Sequence, residues 1–304
     1  MIRYVATRVA YMLGTLFVIA SVTFFISKML PGTPFADDKL TPQIREQLFE
    51  KYGLDEPLYV QYAKYMLNMA QGDLGNSFYF EGRPVLQMIL ERFPVSAFIG
   101  VQAVIFGLVV GLVLGIIAAL RHNTVWDTLA VVVAVVGVSV PTFVLGPILQ
   151  YWLGLKLGLF PIAFFESWHH SVLPSLALSV FVISTVARFI RTEMLEVMGQ
   201  DYVTLARAKG LSGLAVILRH VLRNSLIPLV TVLAPLTIYL VTGTLIVEQI
   251  FAVPGIGEQF VTSVFVSDYS MILGTTMFFS VFFILALLIQ DILYGVIDPR
   301  IRVH

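Results

Sequence analysis

Long apolar segments separated by shorter polar ones dominate the pattern of the chain. A helix needs about 20 predominantly apolar residues to cross the hydrocarbon core of a bilayer. Six segments approach or exceed that length, and the fourth is the shortest: residues 9–29, 95–120, 128–153, 172–187, 226–247 and 271–289. The pattern therefore predicts an all-α, polytopic membrane protein with six transmembrane helices.

The first apolar segment shares one feature with a secretory signal peptide, because Arg3 and Arg8 precede it. Its run of about 20 residues is longer than the 7–15 residues typical of a signal-peptide core. It ends in KMLPGTP, which has no small-residue cleavage pattern. We therefore expect the segment to be retained as a transmembrane helix.

The distribution of lysine and arginine among the short loops predicts the orientation, since these residues favour the cytoplasmic side. One set of loops holds Arg121, the basic residues of 188–223, Arg300 and Arg302, together with the N-terminal arginines. The opposite short loops hold only Lys156. Both termini are therefore expected in the cytoplasm, and the long loop 31–94 outside it.

Composition supports a lipid environment. Hydrophobic residues make up 58% of the 304 residues, charged residues 12%, and the mean hydropathy is +0.89, whereas about 25% of an ordinary soluble domain is charged. The formal net charge is zero, which gives no reason to expect nucleic acid as a partner. Cysteine is absent, which excludes a disulfide framework, a thiolate nucleophile and a Cys-ligated metal.

The loop 31–94 is too polar to span a membrane but is patterned for helices. Thr41 and Pro42 are suited to start a helix that Gly53 closes, and a second helix is expected from about Pro57 to Gly72. GDLGNSF, which begins at Gly72, is interpreted as a turn. A small helical cap on the bundle and a docking surface for an external partner are equally compatible with this pattern.

No carboxylate or histidine lies well inside any of the six predicted spans. Proton-coupled transport normally uses such groups, so the sequence argues against it, and against an intramembrane enzyme. Sodium-coupled transport is not excluded, because backbone carbonyls at broken helices can bind sodium. The pair His169-His170 is interpreted as an interfacial patch, because no spacing supports a metal ligand set. Any energy for transport should therefore come from another chain.

A basic segment, DYVTLARAKGLSGLAVILRHVLRNSLIP, runs from Asp201 to Pro228. It predicts a short helix from Tyr202 to Lys209, a turn at Gly210, and an amphipathic helix capped by Ser212. The expected apolar stripe of the second helix is Leu214, Ile217, Leu218, Val221 and Leu222. Binding to anionic lipid headgroups explains the basic residues of the second helix well. Insertion into a groove on a cytoplasmic partner better explains the first helix.

This segment resembles the cytoplasmic loop of the membrane subunits of ABC importers, with its pattern Glu-Ala-Ala, three residues, Gly. Thr204, Leu205 and Ala206 stand in register with Glu-Ala-Ala, and Gly210 with the glycine. ARAKGLS followed by RHVLRNSLIP is similar to the peptide and nickel branch. So are PGTP (31–34), GDLGNS (72–77), VEQIFAVPGIG (247–257) and DPRI (298–301).

The resemblance implies a type I ABC importer permease, closest to the first permease subunit of an oligopeptide or dipeptide system in a bacterial cell membrane. Its partners would be a second homologous permease, two cytoplasmic ATPases, an extracytoplasmic binding protein, peptide and membrane lipid. ATP and Mg would bind to the ATPases, and this chain would bind no cofactor or metal and catalyse no reaction. The residues implied to contact the ATPases are Tyr202, Thr204, Leu205, Ala206, Arg207, Ala208, Lys209 and Gly210.

The candidate translocation path rests on small and polar residues in the third and fifth spans and just beyond them: Ser139, Pro141, Thr142, Thr242, Gly243, Thr244 and Glu248. Such residues also suit tight helix packing, which is the favoured interpretation. Rival functions are import of nickel, a sugar oligomer or another solute by the same architecture, a secondary transporter or channel, and a scaffold that transports nothing.

The same patterns divide the chain into four expected parts. Residues 1–30 are the cytoplasmic N-terminus and first span, and residues 31–94 are the extracytoplasmic loop. Residues 95–295 form the core permease domain with its coupling loop at 192–225, and residues 296–304 are a cytoplasmic tail.

Overall fold

The computed structural model describes residues 2–29, 41–80 and 82–297, and the side chains of 7–29, 41–80 and 82–290. The described residues are helical, with no strand longer than an isolated bridge between Asn76 and Pro84. The helices are α1 Ile2–Met29, α2 Pro42–Lys51, α3 Leu58–Ala70, α4 Val85–Leu120, α5 Val125–Ser139, α6 Thr142–Leu149, α7 Val172–Met198, α8 Asp201–Ala208, α9 Gly213–Val216, α10 Arg223–Val241, α11 Leu245–Ile250, α12 Ile256–Phe265 and α13 Tyr269–Ile297.

Five helical segments of the described chain are long and apolar enough to cross a membrane. They are Thr7–Met29, Val85–Leu120, Trp168–Met198, Gly213–Ile250 and Tyr269–Gln290. A sixth candidate is the pair Val125–Ser139 and Thr142–Lys156, whose two parts are bent by 102°. The prediction of a polytopic all-α membrane protein is confirmed.

The third predicted span, over 128–153, is present as two helices with a sharp bend between them. The helix stops at Ser139, Val140 is extended with ψ 115°, and a new helix starts after Pro141. Proline has no N–H to continue the helical ladder, and its ring disfavours helical geometry in the preceding residue. The second half continues into a π-helical turn, Gln150–Lys156.

Two other predicted spans have different ends in the structure. The fourth was expected to end at Ala187, but α7 continues to Met198 through Arg188 and Arg191. The fifth was expected as one helix over 226–247, but α10 stops at Val241 and α11 starts at Leu245. A window of apolar residues therefore underestimates α7 and misses the break in the fifth span.

The chain divides into two compact units. Unit 1 contains Met1–Pro94 and Pro254–Leu285, and unit 2 contains Val95–Val253 and Ala286–His304. Residues 254–285 thus cluster with the N-terminal part of the chain. The motifs PGTP (31–34) and DPRI (298–301) lie outside the described residues, as does most of the tail.

Unit 1 has its own apolar core, formed by Val85, Met88, Ile89, Ile256 and Met271. Its loops are fastened by the carboxylate of Asp268, which is fully buried. That carboxylate accepts hydrogen bonds from the hydroxyl of Ser77 and from the backbone N–H groups of Phe78, Tyr79 and Met271. It therefore joins the turn after α3 to the start of α13.

The helices predicted in the loop 31–94 are present within its described part. Thr41 caps α2 by accepting a hydrogen bond from the N–H of Ile44 at 3.4 Å, and Pro42 is the first helical residue. Gly53 follows the helix with φ +62°, a conformation that glycine adopts without penalty. α3 begins directly after Pro57, and its exit includes Gly72.

Unit 2 is built around α7, which packs against α5, α6, α10 and α11. α4 lies against α7 through glycines spaced four residues apart, at positions 107, 111 and 115. A Cβ placed on Gly107 would lie 2.4 Å from Cβ of Val182, and one on Gly111 would lie 2.8 Å from Cβ of Val186. The lack of side chains at these three glycines allows α4 to approach α7 closely, as in other membrane helix pairs.

Candidate functional site

The predicted coupling segment forms a short helix that unit 2 holds on one side. α8 spans Asp201–Ala208 and contacts α7 and α9. Val203 is fully buried and Ala206 is 5% exposed, and both belong to the main apolar core of unit 2. Eight residues are too few for a stable isolated helix in water, so this packing fixes α8 on the bundle.

The opposite side of α8 is open to a partner. Tyr202 is 43% exposed and Leu205 55% exposed. The other predicted coupling residues on this surface are exposed too, namely Thr204, Arg207, Ala208 and Lys209. Together these six residues define the α8 outer face, which combines one aromatic and one aliphatic side chain with two positive charges.

Ala206 does not belong to the α8 outer face. The resemblance implies a partner contact at Ala206, but its side chain is part of the core of the chain itself. A residue larger than alanine there would press on that core. Ala206 therefore anchors α8 to unit 2 and is removed from the set of expected partner contacts.

Gly210 ends α8 with φ +79°. Its N–H donates to the carbonyl of Arg207 at 3.0 Å, and the N–H of Leu211 donates to the carbonyl of Ala206 at 3.4 Å. Glycine is the residue that most easily takes this left-handed geometry at a helix end. The chain then turns to Ser212, whose hydroxyl accepts a hydrogen bond from the N–H of Ala215 at 3.4 Å.

The amphipathic helix expected after Ser212 is present in a modified form. α9 continues as a π-helical segment, Ile217–Leu222, into α10. The expected apolar stripe is divided, because Val221 is buried whereas Leu214 is 67% and Leu218 52% exposed. The wider π-helical turn shifts the helical register, which a strict 3.6-residue period did not anticipate.

The candidate path residues of the fifth span lie at a break between α10 and α11. Gly243 has φ +107°, and Thr242 and Thr244 on either side of it are 9% and 8% exposed. Glu248 is 1% exposed, and its Oε1 accepts a hydrogen bond from the N–H of Thr244 at 3.1 Å. The carboxylate thus satisfies a backbone donor at the start of α11.

The candidate residues of the third span behave differently. Ser139 is exposed and its hydroxyl donates to the carbonyl of Val135, Pro141 is exposed, and Thr142 is half-buried. The helices that follow the two breaks, α6 and α11, do pack together. Gly146 permits this, since a Cβ there would lie 3.3 Å from atoms of Ile250 and Phe251.

Sequence reasoning missed an ion-pair cluster that joins α5 to α7. The carboxylate of Asp127, 4% exposed, accepts from Arg191 Nε at 2.6 Å and Nη2 at 2.9 Å. It also accepts from the N–H of Asn123 at 3.0 Å, and His122 Nδ1 lies at the same distance. The partners are 64 residues apart, so no local pattern shows the pair, although two opposite charges beside apolar spans were a usable signal.

The pair His169-His170 lies in the short 3-10 helix Trp168–Ser171, directly before α7. The ring of His169 stacks on Trp168 with centroids 3.8 Å apart, and Nδ1 of His170 lies 3.0 Å from the hydroxyl of Ser167. No group of three or more potential ligands from His, Asp or Glu occurs within the described residues. These neighbours fit the interfacial interpretation of the pair.

Two family models cover nearly the whole chain. Residues 111–303 match the binding-protein-dependent transport system inner membrane component, and residues 1–100 match the N-terminal membrane component of the same systems. Among solved structures, an inward-facing MetNI methionine ABC transporter is similar with a TM-score of 0.55 and 15% identity. That match covers 70% of this chain and 97% of the other, and it supports the fold alone.

Relatives of known name align over the full length. The dipeptide transport system permease protein DppB of Lactococcus lactis is 43% identical, covering 99% of this chain and all of that protein. The protein of the same name from Bacillus subtilis is 42% identical, covering 100% of this chain and 99% of that protein. The oligopeptide permease OppB of Haemophilus influenzae is 35% identical, covering 99% of this chain and 100% of that protein. The glutathione permease GsiC of Escherichia coli K12 is 38% identical, covering 99% of each chain.

The helices able to span a membrane agree with a match to transport-system membrane components. The chain is a transporter subunit and not an enzyme. It belongs to the family of binding-protein-dependent transport system inner membrane components, the multi-pass permease subunits of ABC importers.

Proposed function

We propose that the chain is one of two homologous permease subunits of an ATP-driven importer of dipeptides or oligopeptides. An extracytoplasmic binding protein would deliver the peptide, and two cytoplasmic ATPases would supply the energy. Full-length identities of 42–43% to dipeptide permeases support this cargo. The 38% identity to glutathione permeases points to the same chemistry, because glutathione is itself a short peptide.

The observation that carries the proposal is the two-sided packing of α8. Val203 and Ala206 fix its inner side in the core of unit 2, and the α8 outer face carries exposed Leu205 together with exposed Arg207 and Lys209. An apolar side chain accompanied by charges is suited to a groove with a polar rim. We assign this face to the ATPase contact, with Thr204 in place of the acidic residue of the family pattern.

The packing of α8 also suggests how movement would pass into the membrane. α8 contacts α7, and α7 packs against α5, α6, α10 and α11. A displacement of α8 would therefore be transmitted to the helices that carry both breaks. ATP binding drives transport only if it favours one of two arrangements of these helices, since a ligand can shift an equilibrium only through differential affinity.

We assign the translocation path to the break Thr242–Thr244 and to Glu248. Broken membrane helices place free backbone groups inside the bilayer, where they can line a path only if it is polar or enclosed by protein. Peptide backbone needs hydrogen-bond partners of that kind. Thr142 lies at the start of α6, which packs against α11, whereas exposed Ser139 and Pro141 are assigned to the surface beside it.

The orientation that fits this assignment places α8 and both termini in the cytoplasm of a bacterial cell, with the chain in its plasma (inner) membrane. It places loop 31–94, with α2 and α3, on the outer side, where the binding protein docks. The division into a loop domain at 31–94 and a core domain at 95–295 is kept as part of the proposal.

The test is uptake of a radiolabelled dipeptide into proteoliposomes that contain this chain with its partner subunits and binding protein. The expected result is uptake that requires ATP and is unaffected by collapsing proton and sodium gradients. Uptake driven by an ion gradient without ATP would contradict the proposal and support a secondary transporter. Competition by unlabelled tripeptide, glutathione and Ni²⁺ identifies the cargo, and inhibition by Ni²⁺ alone would reject peptide.

A further inference from the structure

Unit 1 contains a cavity of about 390 Å³. The end of α1, the α2–α3 pair, the turn that follows it and the start of α13 surround it, and all of these belong to unit 1. Its walls combine aromatic rings with charged side chains. Cavities of 300–1,000 Å³ lined in this way are typical small-molecule sites.

A positive charge that forms no ion pair with any described residue lines this cavity. Lys28, next to last in α1, is half-buried and donates from Nζ to Oε1 of Gln61 at 2.6 Å. Nζ also lies 5.7 Å from the ring centroid of Phe24 and 5.3 Å from that of Tyr269. Within the described residues no ion pair includes Lys28. Removing a charge from water without a counter-charge is costly, so an anion bound beside this ammonium would be favourable.

Two further groups on the same wall have no hydrogen-bond partner among the described residues. The hydroxyl of Tyr65 and Oε2 of Glu56 are both buried without a hydrogen-bond partner in the described part of the chain. Burial, and then the neighbouring Tyr62, raise the pKa of Tyr65 to about 12. The hydroxyl therefore keeps its proton and is a donor. Each unsatisfied buried group lowers stability unless a ligand or water completes it.

We propose that this cavity binds a short zwitterionic peptide. Its carboxylate would lie between the ammonium of Lys28 and the hydroxyl of Tyr65, and its amino group would face the free oxygen of Glu56. Aromatic walls, among them Phe24 and Tyr269, would hold the side chains. The inference rests on the proposed function and adds a holding site for cargo in unit 1, separate from the break in the fifth span.

The test uses the full chain in lipid nanodiscs without binding protein, with tritiated alanyl-phenylalanine as the probe. The wild-type chain should bind it saturably. Lys28→Gln should weaken binding about tenfold, the scale of one lost charge-assisted bond. Lys156→Gln is the matched control, because Lys156 also lies over an aromatic ring, that of Tyr151 at 5.6 Å, but does not line the cavity.

Tyr65→Phe keeps the test valid if Lys28→Gln fails to fold. It removes only an oxygen that has no partner in the described residues, so folding should be unharmed while binding weakens severalfold. The peptide amide and free phenylalanine should compete poorly, since one lacks the carboxylate and the other the second residue. Absence of saturable binding, or equal affinity of Lys28→Gln and Lys156→Gln, would overturn the proposal.

The uptake assay separates this site from the proposed function. If uptake is driven by ATP but peptide binding is unchanged in Lys28→Gln and Tyr65→Phe, peptide binding in the cavity is rejected and the importer assignment stands. Binding that depends on Lys28 and Tyr65 would support the cavity even if ATP-driven uptake failed, in which case only the importer assignment would be rejected.

Discussion

Replacing Gly210 with valine should disturb the end of α8 through backbone strain alone. Gly210 has φ +79°, and a Cβ built on it meets nothing within 4 Å, so the new side chain has room. The cost is conformational and amounts to about 1–2 kcal/mol for an ordinary residue in the left-handed region. A β-branched residue is disfavoured there more strongly. Valine should therefore cost at least that amount.

A cost of that size has a measurable consequence. One to two kcal/mol changes a two-state equilibrium by a factor of about 5 to 30. The hydrogen bonds that Gly210 and Leu211 donate to Arg207 and Ala206 close α8, so the population with a correctly closed α8 should fall by that factor. The cores of units 1 and 2 do not depend on this turn and should remain folded.

The assay measures ATP hydrolysis and dipeptide uptake by the reconstituted importer. Gly210→Val should lower the peptide transported per ATP about 5- to 30-fold while the complex still assembles. Gly210→Asn should retain most transport, because asparagine tolerates this geometry. Gly213→Ala is the matched control, since Gly213 is equally uncrowded and has no positive φ. Equal peptide transport per ATP hydrolysed in Gly210→Val and Gly213→Ala would refute the reasoning.

Three further substitutions test the packing. Asp127→Asn should destabilise unit 2 by about 3 kcal/mol, because the guanidinium of Arg191 loses its counter-charge. Asp268→Asn should destabilise unit 1 by about 1.5–3 kcal/mol, because the hydrogen bonds that the carboxylate accepts would go to a neutral amide instead. Asp201→Asn, at an exposed position, is the control for both in thermal unfolding, and equal melting temperatures would contradict these roles. Overpacking typically costs about 1–3 kcal/mol, and Gly111→Leu should cost more, because even a Cβ at position 111 would lie 2.8 Å from Val186 Cβ. Its control is Gly14→Leu, which should fold normally, since a Cβ at position 14 has nothing within 4 Å.

Local signals in the sequence predicted local structure well. Thr41, Pro42 and Gly53 fixed the bounds of α2, and Gly210 and Ser212 fixed the turn after α8. Each of these residues acts on its own backbone or on atoms within four positions. Such effects are independent of the tertiary fold, so a single sequence is sufficient to predict them.

Features that depend on distant residues were not predictable in the same way. The burial of Ala206 depends on the core it meets, and the pairing of Asp127 with Arg191 joins positions 64 apart. The break at Pro141 is marked in the sequence by a proline, but prolines also occur inside continuous membrane helices. Whether a proline bends or breaks a helix depends on neighbours that sequence does not identify.

The most direct test of the central claim is crosslinking from the α8 outer face. The chain contains no cysteine, so Leu205→Cys introduces a single reactive site at a residue that is 55% exposed. Leu67→Cys in α3, 61% exposed, is the control on the opposite side of the proposed topology. A short crosslinker with a maleimide at one end and a photoreactive group at the other should link position 205, and not position 67, to an ATPase subunit of the purified importer. Failure of position 205 to crosslink, with full ATP-driven uptake retained, would contradict the assignment of α8 as the coupling helix.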